Sequence, residues 1–148
     1  MLELKQINKY YNQGTVNEMC LFEDFSLTIK DRQFVSVVGS NGSGKTSMLN
    51  IICGSIPLDS GRIIIGGKDI TSMPEYKRQR RIGRVYQNPA MGTCPHMTIL
   101  ENMALADNKG KPFNLLPGTN RQRINYYKEQ LHSLGLGLED KLHVKVGV

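Results

Sequence analysis

The chain opens on alternation. Leu2 and Leu4 are separated by a polar residue, and Phe25, Leu27 and Ile29 alternate with Ser26, Thr28 and Lys30. A period of two sets one side of a segment against a core and the other in water, so both stretches are predicted as half-exposed strands. Between them, Asn12-Gln-Gly-Thr-Val-Asn17 has the composition of a turn. Phe34-Val-Ser-Val-Val38 is short and mostly β-branched, as expected of a strand buried on both faces. It leads into a glycine-rich loop. After the loop, Met48, Leu49 and Ile52 supply the apolar positions of a predicted helix over Thr46–Cys53, with Gly54 placed to end it. Pro57, Asp59, Ser60 and Gly61 make a turn into a strand at Arg62–Ile65, closed by Gly66 and Gly67. Pro74–Arg80 is predicted as a short helix and Ile82–Tyr86 as another strand.

From Pro89 onward the pattern becomes helical. Thr98-Ile-Leu-Glu-Asn-Met-Ala-Leu-Ala106 has Thr98 and Glu101 at the spacing of a capping box. A loop containing Gly110, Pro112, Pro117 and Gly118 follows, and Ile124, Tyr127, Leu131 and Leu134 then mark one face of a helix over 121–134, ending at Gly135. The fold class predicted is α/β, mixed to about residue 88 and helical afterwards.

Composition adds little until charge is considered. The 148 residues carry 19 basic and 13 acidic side chains, a net charge of +6, which favours anionic partners. The densest basic run, Lys77-Arg-Gln-Arg-Arg81, is expected as a solvated helix end; no aromatic residue is interleaved with it as a base-stacking platform requires. No stretch approaches the roughly twenty apolar residues of a membrane span, and the first residues lack the apolar region of a secretory signal. Cys20, Cys53 and Cys94 are widely spaced without partners at ligand spacing, so free thiols in a reducing cytoplasm are expected.

The chemistry is concentrated in Gly39-Ser-Asn-Gly-Ser-Gly-Lys-Thr46, which matches Gly-x-x-x-x-Gly-Lys-[Ser/Thr] between a predicted strand and a predicted helix. A triphosphate needs several donors converging on it. Glycines let the backbone approach closely, and the following helix aims its unbonded amides and positive dipole end at the anion. Gly39, Ser40, Asn41, Gly42, Ser43, Gly44, Lys45, Thr46 and Ser47 are therefore predicted to bind Mg-ATP. Lys45 would reach the β and γ phosphates and the Thr46 hydroxyl would ligate Mg²⁺.

Over nearly its whole length the chain resembles the nucleotide-binding subunit of ATP-binding cassette (ABC) transporters. The resemblance is carried by Val38–Thr46, by Asp59-Ser-Gly-Arg-Ile-Ile-Ile-Gly-Gly-Lys-Asp-Ile-Thr71 and by Ile82-Gly-Arg-Val-Tyr-Gln-Asn-Pro89. It implies a P-loop ATPase fold with an N-terminal antiparallel β subdomain and nucleotide core over 1–88, and the beginning of a helical subdomain over 89–148. It implies that Tyr11 stacks on adenine, and that Gln87, with Lys45, serves catalysis, Gln87 joining Thr46 at the magnesium. It further implies transmembrane permease subunits and a second ATPase subunit as partners, a peripheral position on the cytoplasmic face of the plasma membrane, and no direct nucleic acid. The helix over 121–134 and the Asn114-Leu-Leu-Pro-Gly118 insert look most like a branch of bacterial importers linked to amino acids.

The chain also departs from that family. Asp31-Arg-Gln33 lacks the usual turn glycine, so Arg32 is expected in a geometry that tolerates a side chain. The Leu-Ser-Gly-Gly-Gln signature, the apolar run ending in Asp-Glu, and the switch histidine do not occur, and His96, His132 and His143 are expected at the surface. Hydrolysis needs a water-orienting group, magnesium carboxylates and charge stabilisation at the γ-phosphate. The expectation is therefore a half-site, the front part of an ATPase truncated within its helical subdomain, which binds ATP without hydrolysing it alone. In the family the strands expected at Phe34–Val38 and Ile82–Tyr86 are separated by strands from the C-terminal part, so this chain is expected to be marginally stable or self-associating. Two rival functions remain open from sequence: a soluble ABC ATPase acting on nucleic acid or ribosomes, and a nucleotide-binding module without catalysis.

Overall fold

A computed structural model describes residues 1–112 and 117–147. It divides into two compact units, Met1–Gly83 and Arg84–Val148.

In the first unit, β1 (Leu2–Tyr11), β2 (Met19–Ile29), β3 (Ser60–Ile65) and β4 (Lys68–Asp69) form one antiparallel sheet in the order β2-β1-β3-β4. β1 is central, with Leu4 opposite Leu27 on one side and Ile63 on the other. Its alternation does not run through. Gln6 takes φ +48° and the register shifts between Leu4 and Ile7, so the buried set changes from Leu4 to Ile7 and Lys9. A bulge of this kind inserts one residue and reverses the parity of every side chain after it. Helix α1 (Lys45–Cys53) buries Met48, Ile51 and Ile52 with Leu4, Ile7, Ile63 and Ile70. Leu49, expected among the apolar positions, is instead exposed: the buried residues keep the i, i+3, i+4 spacing of one helical stripe, and Leu49 lies off it. The amide of Gly54 donates to the carbonyls of Asn50 and Ile51 and ends the helix.

Arg78 corrects the reading of the basic run. It lies in helix α2 (Glu75–Arg78) and is buried at 4% exposure. Its Nη1 donates to the carbonyls of Ile51 (2.9 Å) and Ile52 (3.1 Å), Nη2 to that of Thr71 (2.7 Å) and Nε to that of Met73 (2.7 Å). A guanidinium spreads its donors in a rigid fork, so one side chain satisfies carbonyls of α1 and of two loop residues at once. Burial lowers its pKa from the ordinary arginine value. A Cβ at Gly54 would stand 2.9 Å from the Arg78 Nε, and Gly54 has φ +93°, so both clearance and backbone call for glycine here. Lys77, Arg80 and Arg81 are exposed, as expected.

Two predicted strands are absent. Phe34–Val38 and Ile82–Tyr86 join no ladder among the described residues, and Phe34, Val38 and Val85 are 91%, 91% and 98% exposed. Apolar, β-branched composition suits a strand, but a strand exists only where another offers its amides and carbonyls. The expected burial on both faces fails for the same reason.

The second unit contains α3 (Ile99–Asp107), α4 (Arg121–His132) and a 3-10 turn at Glu139–Lys141. Leu100, Ala104, Tyr127, Leu131 and Leu142 form its core, and the Tyr127 hydroxyl donates to Asp107 (2.8 Å). The predicted capping box is present: Thr98 Oγ1 accepts from the Glu101 amide (3.2 Å) and the Thr98 amide donates to Glu101 Oε2 (2.7 Å). The amides of Ile99 and Leu100 donate to the carbonyls of Val144 and Leu142, so the start of α3 is occupied. Asn120 caps α4. Leu134, expected on the apolar face, is exposed because α4 ends at His132, before that position. Asn114, Leu115 and Leu116 of the expected insert lie outside the described residues.

Candidate functional site

The loop 39–44 is exposed apart from Gly44, which is half-buried, and it ends on α1. Gly44 is the N-cap residue, with φ +85°. A Cβ there would sit 3.1 Å from Leu21 Cδ1 and 3.5 Å from Phe22 Cζ, so a side chain would be strained and would push the loop off β2. No side chain caps α1, and no acidic residue stands in its first turn. This contrasts with α3 and α4, whose starts are capped by Thr98 and Asn120. The positive end of α1 is thus left for an anion.

Lys45 folds back over the loop. Its ammonium donates to the carbonyls of Gly39 (2.8 Å) and Ser40 (2.6 Å), with Ser43 Oγ at 3.4 Å. The charge is held among the residues predicted to ring the phosphates, on a chain long enough to swing from carbonyls to phosphate oxygens. Thr46 is exposed and Ser47 half-buried on the same first turn.

Tyr11 ends β1 and is half-buried, opposite Met19 on β2. Leu21, against which a side chain at Gly44 would press, lies two residues farther along β2, at the register shift between the Lys9–Phe22 and Tyr10–Cys20 pairs. Gln87 is exposed and belongs to the second unit. His132 and His143 are exposed, as is His96. His132 Nδ1 lies 2.9 Å from Glu139 Oε1, which raises the histidine pKa above the ordinary imidazole value and lowers that of Glu139.

Sequence reasoning missed Lys9 and Asp59. Lys9 is buried at 8% exposure, and its ammonium donates to Asp59 Oδ1 (2.8 Å) while standing 5.6 Å from the centre of the Tyr11 ring. Asp59 Oδ2 accepts from the Tyr10 amide (2.7 Å), and the Asp59 amide donates to the Asn8 carbonyl (3.1 Å). The hydrogen bond from Lys9, then that from the Tyr10 amide, holds the Asp59 carboxyl below its ordinary pKa. The available signal was the i, i+2 spacing of Lys9 and Tyr11, which places both on one side of a strand.

The donor set suits a nucleoside triphosphate: a charged amine, an uncapped helix start and a loop with glycine where a Cβ would collide. A hard oxygen ligand such as the Thr46 hydroxyl suits Mg²⁺, which keeps several waters and takes phosphate oxygens rather than a protein cage. Among the described residues no cluster of three or more His, Cys, Asp or Glu could hold a metal.

The sequence profile of the family described as ABC transporter matches residues 22–146. The chain belongs to the ABC transporter family. A tyrosine transport ATP-binding protein of Clostridioides difficile (strain R20291) is 42% identical over 146 residues, 99% of this ABC chain and 58% of that protein. A spermidine/putrescine import ATP-binding protein of Haemophilus influenzae (strain ATCC 51907 / DSM 11121 / KW20 / Rd) is 43% identical over 104 residues, 70% of this chain and 26% of that one. The chain therefore spans 58% or less of the length of these relatives. Among solved structures, a dimeric ATP-binding cassette in a post-hydrolysis state bound to ADP and Pi matches with TM-score 0.76 and 27% identity, over 98% of this chain and 61% of that one. A nucleotide-free ATP-binding cassette from an ABC transporter matches with TM-score 0.71 and 22% identity, over 99% and 58%, which speaks for the fold alone. The α/β ABC cassette fold expected from the sequence is thereby shown. No helix among the described residues is long and apolar enough to cross a membrane.

Proposed function

We propose that this chain binds Mg-ATP as the ATP-binding part of an ABC importer, paired with a second ATPase subunit and transmembrane permease subunits at the cytoplasmic face of the plasma membrane. The observation that carries the reading is the Lys45 ammonium held over the loop at an uncapped helix start. Residues 39–47 cradle the phosphates, Tyr11 stacks on adenine, and Thr46 and Gln87 serve the magnesium. When bound, the ion supplies charge neutralisation at the phosphates. Residues 1–88 make up the β subdomain and nucleotide core, and 89–148 the beginning of the helical subdomain. The tyrosine transporter's similarity supports an amino-acid-type solute. The signature, the apolar run ending in Asp-Glu and the switch histidine are not among these 148 residues, so the chain binds ATP without turning it over alone, and phosphate release is expected only when the corresponding region is supplied.

Burial of Arg78 removes one charge from the basic run that best supported the rival nucleic-acid function. The test is Lys45→Ala. It removes a charged donor worth about 1.5–3 kcal/mol, or roughly ten- to hundredfold in affinity for a fluorescent ATP analogue. An unchanged dissociation constant would sink the phosphate-cradle assignment.

A further inference from the structure

Lysine is rarely buried without a reason, and Lys9 sits on the core side of the central strand. The bulge at Gln6 is what turns it inward: after it, Ile7, Lys9 and Tyr11 share one side of β1, so the ammonium and the ring become neighbours. Asp59 answers the charge with one oxygen and the Tyr10 amide with the other. The carboxylate thus clamps both the lysine tip and the backbone immediately before Tyr11. With the Asp59 amide on the Asn8 carbonyl, three consecutive residues of β1 are tied to one residue of the turn before β3. The Lys9 ammonium then stands over the Tyr11 ring at 5.6 Å from its centre. A cation over an aromatic face is attracted by the ring's negative quadrupole. It also leaves only the opposite face free for stacking, and makes that face less repulsive to another π-system.

We propose that Lys9, anchored by Asp59, is a positioning residue for nucleobase recognition: it fixes the Tyr11 ring and directs the base to the ring face opposite the ammonium. The proposal rests on the reading of Tyr11 as the base-stacking residue. Lys9 makes no phosphate contact in it. Its effect is confined to ligands that carry a base.

The test measures binding of ATP and of inorganic tripolyphosphate to the whole chain by calorimetry, for the parent, Lys9→Met, Tyr11→Ala and the Lys9→Met/Asp59→Asn pair. Methionine keeps the length and removes the charge; it leaves the Asp59 carboxylate without its lysine but 34% exposed to water, and the paired variant removes both charges so that no lone ion remains beside the core. Loss of the cation–ring contact should weaken ATP binding about three- to fivefold. Tripolyphosphate binding should not change. The paired variant should lose no more than Lys9→Met alone, because asparagine keeps an oxygen for the Tyr10 amide and only the contact to Lys9 is lost, and it serves as a second route should the single variant fail to fold. A Lys9→Met protein that binds ATP as the parent does, while Tyr11→Ala loses affinity, overturns the positioning role and leaves Tyr11 as the base platform. Equal losses for ATP and tripolyphosphate also overturn it, since Lys9 would then act on the phosphates or on the fold. No loss in Tyr11→Ala overturns the base-stacking reading and the positioning role with it.

Discussion

Arg32 stands where a glycine would be easier. Its φ is +60°, in the left-handed region, and the turn around it is closed by the Gln33 amide on the Lys30 carbonyl (3.3 Å) and the Lys30 amide on Gln33 Oε1 (3.0 Å). The sequence suggested a geometry suited to a side chain, and the structure corrects this: the turn keeps the glycine-type backbone and strains the arginine. That conformation costs an L-residue about 1–2 kcal/mol, partly offset by the greater unfolded-state freedom of glycine. Arg32→Gly is therefore expected to raise stability by about 0.5–1 kcal/mol in a urea melt, and Arg32→Val to lower it. A destabilised Arg32→Gly protein would show that the arginine makes a compensating contact. Tyr11 shares its side of β1 with Lys9, whereas Tyr10 points the other way and faces Cys20 across the ladder. Tyr11→Ala should weaken ATP binding by about 1–2 kcal/mol and Tyr11→Phe hardly at all. Tyr10→Ala should be silent; a loss there instead would place the base on the other side of the strand.

At the level of elements, the first unit is held by a side chain that hydrophobic patterning cannot find. Arg78 satisfies carbonyls at the end of α1, the helix whose start carries Lys45 and Thr46. Replacing it by Ala leaves buried carbonyls unbonded, at about 1–3 kcal/mol each, so a loss of roughly 3 kcal/mol or more is expected from denaturant unfolding. Arg78→Lys should recover only part, because an ammonium cannot span the same fork of acceptors; full recovery would mean that charge rather than geometry matters. In the second unit, the His132–Glu139 contact joins α4 to the following 3-10 turn. Its histidine is raised, so its contribution is complete below the unfolded imidazole pKa and fades as pH rises through the higher folded value. Its glutamate is lowered, so that contribution is present above the unfolded carboxyl pKa and fades as pH falls through the folded one. Hydrogen exchange in α4 should therefore quicken as pH rises above the ordinary imidazole pKa of about 6.5 more in the parent than in His132→Gln. Identical pH profiles would remove the contact from the stability of this unit. The same contrast explains what the sequence disclosed. The capping box at Thr98 and Glu101, the α1 helix stopped by Gly54 and the phosphate loop are local, and their residues specify them. The bulge at Gln6, the Asp59 partner of Lys9 and the α1 carbonyls that hold Arg78 depend on chain segments far away in sequence; the i, i+2 spacing of Lys9 and Tyr11 puts both on one side of a strand but says nothing of Asp59.

For the whole molecule, the exposed apolar segments dominate what should happen in solution. Phe34 and Val38 are each 91% exposed, and the run between them belongs to no sheet among the described residues; in the second unit Val85 is 98% exposed. β-Branched, uncharged backbone that joins no ladder among the described residues is a template for another chain, and clustered exposed apolar side chains drive association. The same segments contribute little burial, while net stability is normally only about 5–15 kcal/mol. The 148 residues on their own should therefore form concentration-dependent assemblies at roughly tens of micromolar, with a shallow urea transition. Phe34→Lys together with Val38→Lys should reduce the assembly without reducing ATP affinity, because neither side chain belongs to the loop that holds Lys45. Sedimentation velocity across a dilution series reads the first effect and calorimetry the second. A parent chain that stays monomeric throughout and unfolds in one steep transition would show that residues 34–38 find a partner within the same molecule, and that their exposure does not describe the protein in solution.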